Sequence, residues 1–401
     1  MRPDGIEVAD IVRAYGPAFL AQHGPSLSPE QRRALADIAA CRTAVLGGHV
    51  EACDACGFER PAYNSCRNRH CPKCQAAARA TWLDAREADL LDVPYFHVVF
   101  TLPDALADLA LRNPRQLYGM LFSMTAETLL AVAADEKHLG ARIGCLAVLH
   151  TWGQNLHHHP HLHCVIPGGG LAQGGSAWVP SRPNFFLPVQ VLSRVFRGKF
   201  IARLRAAYRK GRLAFPGQIG WLATPEAFAA WLHELAAREW VVYAKPPFGG
   251  PRQVLRYLAR YTHRVAITHG RLVALEDGQV RFRWKDYADD NRWKTMTLGA
   301  GEFIRRLLMH VLPKGLVRIR YFGFLAHRLR RASLALCRAL IGSRQDHGGT
   351  TADTVDLAAP EPARAEALCP ACGRGRLIVT QALPRQPNPL WLAPPPALNT
   401  S

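Results

Sequence analysis

The chain is short of acid and of long apolar runs. Its 401 residues carry 31 Asp and Glu against 50 Lys and Arg, a net charge of +19 with His neutral. Such an imbalance makes a polyanion the first partner to consider, and nucleic acid is the commonest polyanion. No apolar run reaches the roughly 18 to 20 uncharged residues that a membrane-spanning helix needs. The opening MRPDGIEVADIVRAYG also lacks the apolar core of a signal peptide. The expectation is a cytoplasmic protein with no membrane partner. Neither an internal repeat nor a GxxxxGKS/T phosphate loop is found. An apolar fraction of 49% excludes disorder along the whole length and describes a folded chain of two or three domains.

What is present is uneven. Of 11 Cys, six fall between Cys41 and Cys74, and in a reducing compartment such clustering reads as metal binding rather than disulfides. The surrounding GGHVEACDACGFERPAYNSCRNRHCPKCQ has few aliphatic residues, too few to hold itself together by apolar burial. Cys53-x-x-Cys56 and Cys71-x-x-Cys74 are two thiolate pairs with a spacing suited to one tetrahedral structural Zn²⁺. Cys66 and His70, with His49 and Cys41, could replace a ligand or complete a second site. Arg67, Arg69 and Lys73 on the same knuckle are available to phosphates. Cys145, Cys164 and Cys337 lie in apolar surroundings, and Cys369 and Cys372 form a CPAC pair near the end.

Ser28-Pro29-Glu30-Gln31 offers an N-cap, a first-turn proline and a Gln at the third position, the opening of a helix in a lead-in over residues 1–45. VPYFHVVFTLP alternates with period two and so predicts a strand with Tyr95, His97, Val99 and Thr101 opposite Phe96, Val98, Phe100 and Leu102. IGCLAVLHTW and HPHLHCVIP, closed by Gly168-Gly169-Gly170, read as a hairpin. In its second strand His161 and His163 share a face while Leu162 and Cys164 take the other. Two imidazoles side by side on an otherwise apolar strand suit chelation. Gln154 is the polar side chain best placed for a third ligand, with His150 and His97 as rivals, and His157, His158 and His159 read as loop residues.

Residues 186–238 read as basic helices and EWVVYAKPPF as a strand. The helix RQVLRYLARYTHR after Pro251 spaces Tyr257 and Tyr261 at i, i+4, so the two phenols share a face among Arg256, Arg260 and Arg264. A phenol is a competent nucleophile once positioned beside a metal-polarised phosphate. VAIT, RLVAL and QVRFRWKDY, with turns at His269-Gly270 and Glu276-Asp277-Gly278, predict an antiparallel meander. GEFIRRLLMHVLP predicts a last helix, and the run Arg318 to Arg331 a basic surface.

Zinc cluster, strand FTLP, strand HPHLHCVIPGGG and helix YLARYTHRVAI, in that order, resemble the rolling-circle insertion-sequence transposases of the IS ninety-one family, members of the HUH endonuclease superfamily. The resemblance spans about residues 30–330. It implies that Phe100-Thr101-Leu102 is the first motif, His161-Leu162-His163 the metal motif with Gln154 completing it, and Tyr257 and Tyr261 the nucleophiles. It further implies a catalytic Mg²⁺ or Mn²⁺, single-stranded element ends as DNA partner, and strand cleavage through a 5′-phosphotyrosine that rejoins without ATP. The resulting expectation is an α+β chain: a helical lead-in (1–45), a zinc- and DNA-binding module (46–92) and an HUH-type antiparallel sheet with flanking helices (93–330, with a helical insertion at 186–238). The end (331–401) is expected as a basic segment, the CPAC half-site and a disordered tail. A non-catalytic zinc-dependent DNA-binding protein, and a replication initiator or relaxase with the same chemistry, are the competing readings.

Overall fold

The computed structural model describes residues 5–75, 89–245, 265–287, 289–345 and 368–387. Helices α1 (Val8–His23) and α2 (Pro29–Ala40) come first. Helix α2 starts as its sequence predicts: the Gln31 N–H donates to the Ser28 hydroxyl at 3.2 Å and the Ser28 N–H donates to the Gln31 side chain at 2.9 Å, so the capping box closes in both directions. A hairpin of β1 (Gly48–Cys53) and β2 (Glu59–Tyr63) follows, then β3 (Tyr95–Thr101), α3 (Ala107–Arg112) and α4 (Pro114–Ala134). Next come β4 (Ala141–Arg142), β5 (Gly144–Trp152), β6 (His158–Pro167), β7 (Gly169–Ala172), β8 (Trp178–Pro180), α5 (Val189–Arg209), α6 (Pro225–Ala237) and β9 (Val242–Lys245). The remainder is β10 (Leu272–Glu276), β11 (Gln279–Asp286), β12 (Arg292–Gly299), α7 (Ala300–Met309), β13 (Ile319–Gly323), α8 (Arg330–Gln345) and β14 (Leu377–Leu383).

A five-stranded antiparallel sheet in the order β13-β5-β6-β3-β9 is the frame. Its register sets the two faces. His161 lies opposite His150 and Thr101, and His163 opposite Val148 and Val99, so these side chains share one face. Phe96, Val98, Phe100, Leu162, Cys164 and Ile166 take the other and are buried with Leu117 and Leu121 of α4 and Phe196 and Phe200 of α5. Burying side chains of this size contributes about 1.5–3 kcal/mol each, so one face of the sheet fixes the backbone from which the other projects its histidines. The segment expected as a helical insertion thus supplies α5 and α6 to the main core. Among the described residues, only α4 is long and apolar enough to cross a membrane, and 67% of its apolar window is buried.

A second core lies at the far end of the β5–β6 hairpin. Ile11 and Val12 of α1, Leu35 and Ile38 of α2, Phe282 of β11 and Phe303 and Ile304 of α7 bury there with Trp152, Leu156 and Cys71. The expected meander is present but shifted: it runs β10-β11-β12, and its third strand is Arg292–Gly299 rather than VAIT. Val265, Ala266 and Ile267 are all buried, so this short run has no exposed face to alternate with. The Asp277-Gly278 turn forms as expected, with φ of +47° and +73°.

Strand β14 lies in a region expected to hold only a half-site and a tail. Its β-branched run LIVTQAL pairs antiparallel with β1, which also pairs with β2, to give the three-stranded sheet β14-β1-β2. The two ends of the chain therefore meet.

Candidate functional site

Three imidazoles converge on the second face of the central sheet. His150, His161 and His163 have ring centroids 4.4 to 5.5 Å apart, and their ligand nitrogens lie within 4.8 Å of one another. The His161 Nδ1–H donates to the His159 carbonyl at 2.7 Å, which leaves Nε2 of the neutral ring with its lone pair, 3.1 Å from His163 Nε2. His163 is oriented from behind, its Nδ1 2.8 Å from Nε2 of His97 on β3. Burial, and then the charge of Lys245, push the His97 pKa down to about 3, so that ring is neutral. His150 and His163 are buried and His161 half-buried, which puts the entrance on the His161 side. Three converging imidazoles fit a divalent cation.

The third member of the cluster is His150, not Gln154. Strand pairing puts His150 directly across from His161, whereas Gln154 lies in the turn between β5 and β6, where its Nε2 donates to the Tyr287 hydroxyl at 3.2 Å. His158 and His159, expected in a loop, begin β6, and His158 Nε2 lies 2.8 Å from the Tyr118 hydroxyl of α4. Tyr257 and Tyr261, with Arg256, Arg260 and Arg264, lie outside the described residues. The described chain stops at Lys245, whose backbone is paired with His97, and resumes at Val265, which lines a small cleft with Trp152 and His310. Trp152 in turn stacks on His150 at 4.6 Å.

The cysteines form two tetrads, which corrects the expected single site. Cys71 and Cys74 join Cys41 and Cys66, while Cys53 and Cys56 join Cys369 and Cys372. The two CxxC pairs part company because β1 carries Cys53 away from α2, whereas the Cys66–Cys74 knuckle turns back beneath Cys41, the C-cap of α2. A tetrahedron with Zn–S bonds of about 2.3 Å has edges of about 3.8 Å. The Sγ separations Cys41–Cys74 and Cys66–Cys74 are 3.6 and 3.5 Å, and Cys53–Cys372 and Cys56–Cys369 are both 3.7 Å. His70 and His49 are not members: His70 Nε2 accepts from the Leu312 N–H at 3.4 Å, and His49 lies 3.4 Å from Glu51. The missed signal is plain in retrospect, since CDACG and CPACG are the same turn written twice.

The knuckle cations are also reassigned. Arg69 donates to the carbonyls of Leu312, Pro313 and Leu316, and Lys73 is paired with Glu7 at 2.5 Å. Both tie the knuckle to the fold, and of the three only Arg67 is exposed. Part of the Arg318–Arg331 run is likewise engaged internally, Arg320 over the Phe122 ring at 4.1 Å and Arg330 over Tyr321 at 5.0 Å. A basic face that sequence did not single out lies on the meander. Arg281, Arg283 and Lys285 alternate outward along β11, Tyr287 follows its end, and Thr295 and Trp293 of β12 are paired with Arg283 and Lys285. Arg283 sits 5.2 Å over the Trp293 ring and Lys285 5.8 Å over Tyr287.

The comparisons agree with this geometry. Residues 144–333, which contain the triad and both tyrosines, match a family described as "Putative transposase", and residues 11–102 match the "Transposase zinc-binding domain". The "Putative transposase y4qJ" of Sinorhizobium fredii is 55% identical over 384 residues, 95% of this chain and 96% of that protein. The "Transposase for insertion sequence element IS801" of Pseudomonas savastanoi pv. phaseolicola is 30% identical over 294 residues, 72% of this chain and 69% of that protein. No solved structure matches. With a zinc-binding domain of this kind ahead of the transposase domain and both relatives spanning most of its length, the chain belongs to the IS ninety-one family of insertion-sequence transposases.

Proposed function

We propose that the chain cleaves and rejoins single DNA strands in rolling-circle transposition through a phosphotyrosine. The observation that carries this is the imidazole triad on the central sheet. A divalent cation held by His150, His161 and His163, Mg²⁺ or Mn²⁺, would supply charge neutralisation and Lewis-acid polarisation of the scissile phosphate. Three imidazoles are a softer set than Mg²⁺ prefers, which favours Mn²⁺ of the two.

The chain's own groups do the rest. A tyrosine phenolate attacks phosphorus, the new O–P bond forms as the P–O3′ bond breaks, and the departing oxygen takes a proton to become a free 3′-OH. The 5′ phosphate stays on the tyrosine, and attack by a 3′-OH reverses the step, so no nucleotide is consumed. Two tyrosines permit two transesterifications without release of the first product. The His159 carbonyl and His97 hold the His161 and His163 rings in place, so that the site is formed before substrate arrives. Trp293 and Tyr287, each beneath a cation, form a platform of the kind on which unpaired bases stack. The Gln154–Tyr287 hydrogen bond ties Tyr287 to the β5–β6 turn. Single-stranded element ends in the cytoplasm are therefore the substrate. A replication initiator or relaxase would use the same chemistry, but the names of both relatives favour transposition.

The test is incubation of the full chain with single-stranded DNA from the ends of its own element and Mn²⁺. A denaturation-resistant protein–DNA adduct is expected. Combined Tyr257→Phe and Tyr261→Phe substitution should abolish it, and an undiminished adduct in that variant would overturn the assignment.

A further inference from the structure

The zinc-binding family match ends at residue 102 and takes no account of Cys369 and Cys372. We infer that these two residues close a second structural zinc site with Cys53 and Cys56, and that this zinc fastens the C-terminal strand to the N-terminal module. The inference concerns the fold and stands apart from the phosphotyrosine chemistry.

The four sulfurs are arranged as ligands. The Cys53–Cys372 and Cys56–Cys369 sulfur separations are both 3.7 Å, close to the edge of a zinc tetrahedron and well beyond a covalent S–S bond. Each half is the same knuckle. The Gly57 N–H donates to the Cys53 carbonyl at 3.1 Å and the Gly373 N–H to the Cys369 carbonyl at 2.8 Å, with φ of +71° and +67° at the two glycines. Backbone N–H groups of Ala55 and Gly375 point at the Cys53 and Cys372 sulfurs, both at 3.4 Å. Gly375 must be glycine, because a Cβ there would collide with the Cys53 sulfur. Asp54 completes the join, accepting from the Arg376 N–H at 2.8 Å through its side chain and donating its own N–H to the Arg376 carbonyl at 3.1 Å.

Apolar burial does not explain why β14 stays. Ile378 and Val379 are 51% and 65% exposed, and among the described residues no residue of β14 belongs to a hydrophobic cluster. A three-stranded sheet with so little buried apolar surface is marginal alone. A metal bound by thiolates from both chain ends supplies what the sheet lacks.

Metal analysis of the purified full chain should give two zinc ions, and Cys369→Ser with Cys372→Ser should give one. Two zinc ions retained in the double variant would overturn the inference, as would stoichiometric iron with visible absorbance in place of zinc at this site. A second experiment holds even if that variant does not fold. With a protease site placed within residues 346–367 of the full chain, the cleaved C-terminal fragment should co-elute with the body in zinc and separate on adding a chelator. A fragment that separates in the presence of zinc would overturn the inference. Neither readout involves DNA cleavage, so their failure is distinct from failure of the transposition reading.

Discussion

The histidine triad and the cysteine tetrads stand on opposite kinds of support. The triad projects from a sheet whose other face is held by Phe96, Phe100, Leu162 and their helix partners, so its backbone is fixed whether or not a cation is present. One of its rings is half-exposed, leaving room for a phosphate oxygen. The tetrads offer four protein ligands each; the inner one is buried in the second core, and the outer one joins a sheet with little buried apolar surface. Within the inner tetrad, contact with Cys66 and Cys71 pulls the Cys41 thiol down, while contact with Cys41 pushes Cys71 up. Four such sulfurs cannot all be thiolates without a cation among them. An open site on a self-supporting frame is what catalysis needs, and a closed site in a frame that is not self-supporting is what structure needs.

The largest effect that could break this comparison is on cleavage. His161→Ala with His163→Ala should reduce the covalent adduct by about 100-fold or more, the scale of losing several kcal/mol of electrostatic stabilisation. The melting temperature and the zinc content should stay as in the parent chain. A matching loss of thermal stability would move the triad into the structural class. Next in size is Cys71→Ser, which removes a ligand buried in the second core beside Ile38 and Phe303. Loss of one zinc and about 4 kcal/mol of unfolding free energy is expected, since loss of a metal is among the few single changes that reach that scale. Denaturant unfolding measures it, and an unchanged midpoint with full zinc would show that the inner tetrad needs no metal.

What could be read from sequence follows from distance along the chain. The β3 faces, the β5–β6 hairpin, the Ser28 capping box and the His161–His163 pair are set by residues within about ten positions of one another, and period-two or capping rules suffice. The third imidazole required strand register: His150 and Gln154 are both near the pair in sequence, and only the Trp152–His158 irregularity and the pairing beyond it place His150 opposite His161. The tetrads were least legible. Cys53 and Cys372 are brought together by β1–β14 pairing across most of the chain, and no local spacing rule reports that. Charge misled for a related reason. Arg69 and Lys73 look like phosphate ligands in a linear motif, yet three carbonyls and Glu7, from remote parts of the chain, take them up. The Arg283–Trp293 pair was invisible because β12 was not recognised as the partner of β11.

That pair offers the smallest and sharpest test, because the proposed metal site would act on a single strand only if the strand is led to it. Trp293 is 54% exposed and Tyr287 63%, each with a cation over its ring. If the face serves only the meander, Trp293→Ala removes one exposed cation–π contact, worth about 0.5–1 kcal/mol of stability, and single-strand binding is unchanged. If bases stack there, the same substitution weakens binding by about 1–3 kcal/mol, or roughly 5- to 150-fold. That loss should vary little with sequence, because every base has a face to stack, and duplex binding should be spared, because paired bases do not present theirs. Fluorescence anisotropy with single-stranded and duplex oligonucleotides at one salt concentration separates the two outcomes. Equal losses on both substrates would make the face a general phosphate contact and leave the triad without a dedicated single-strand path.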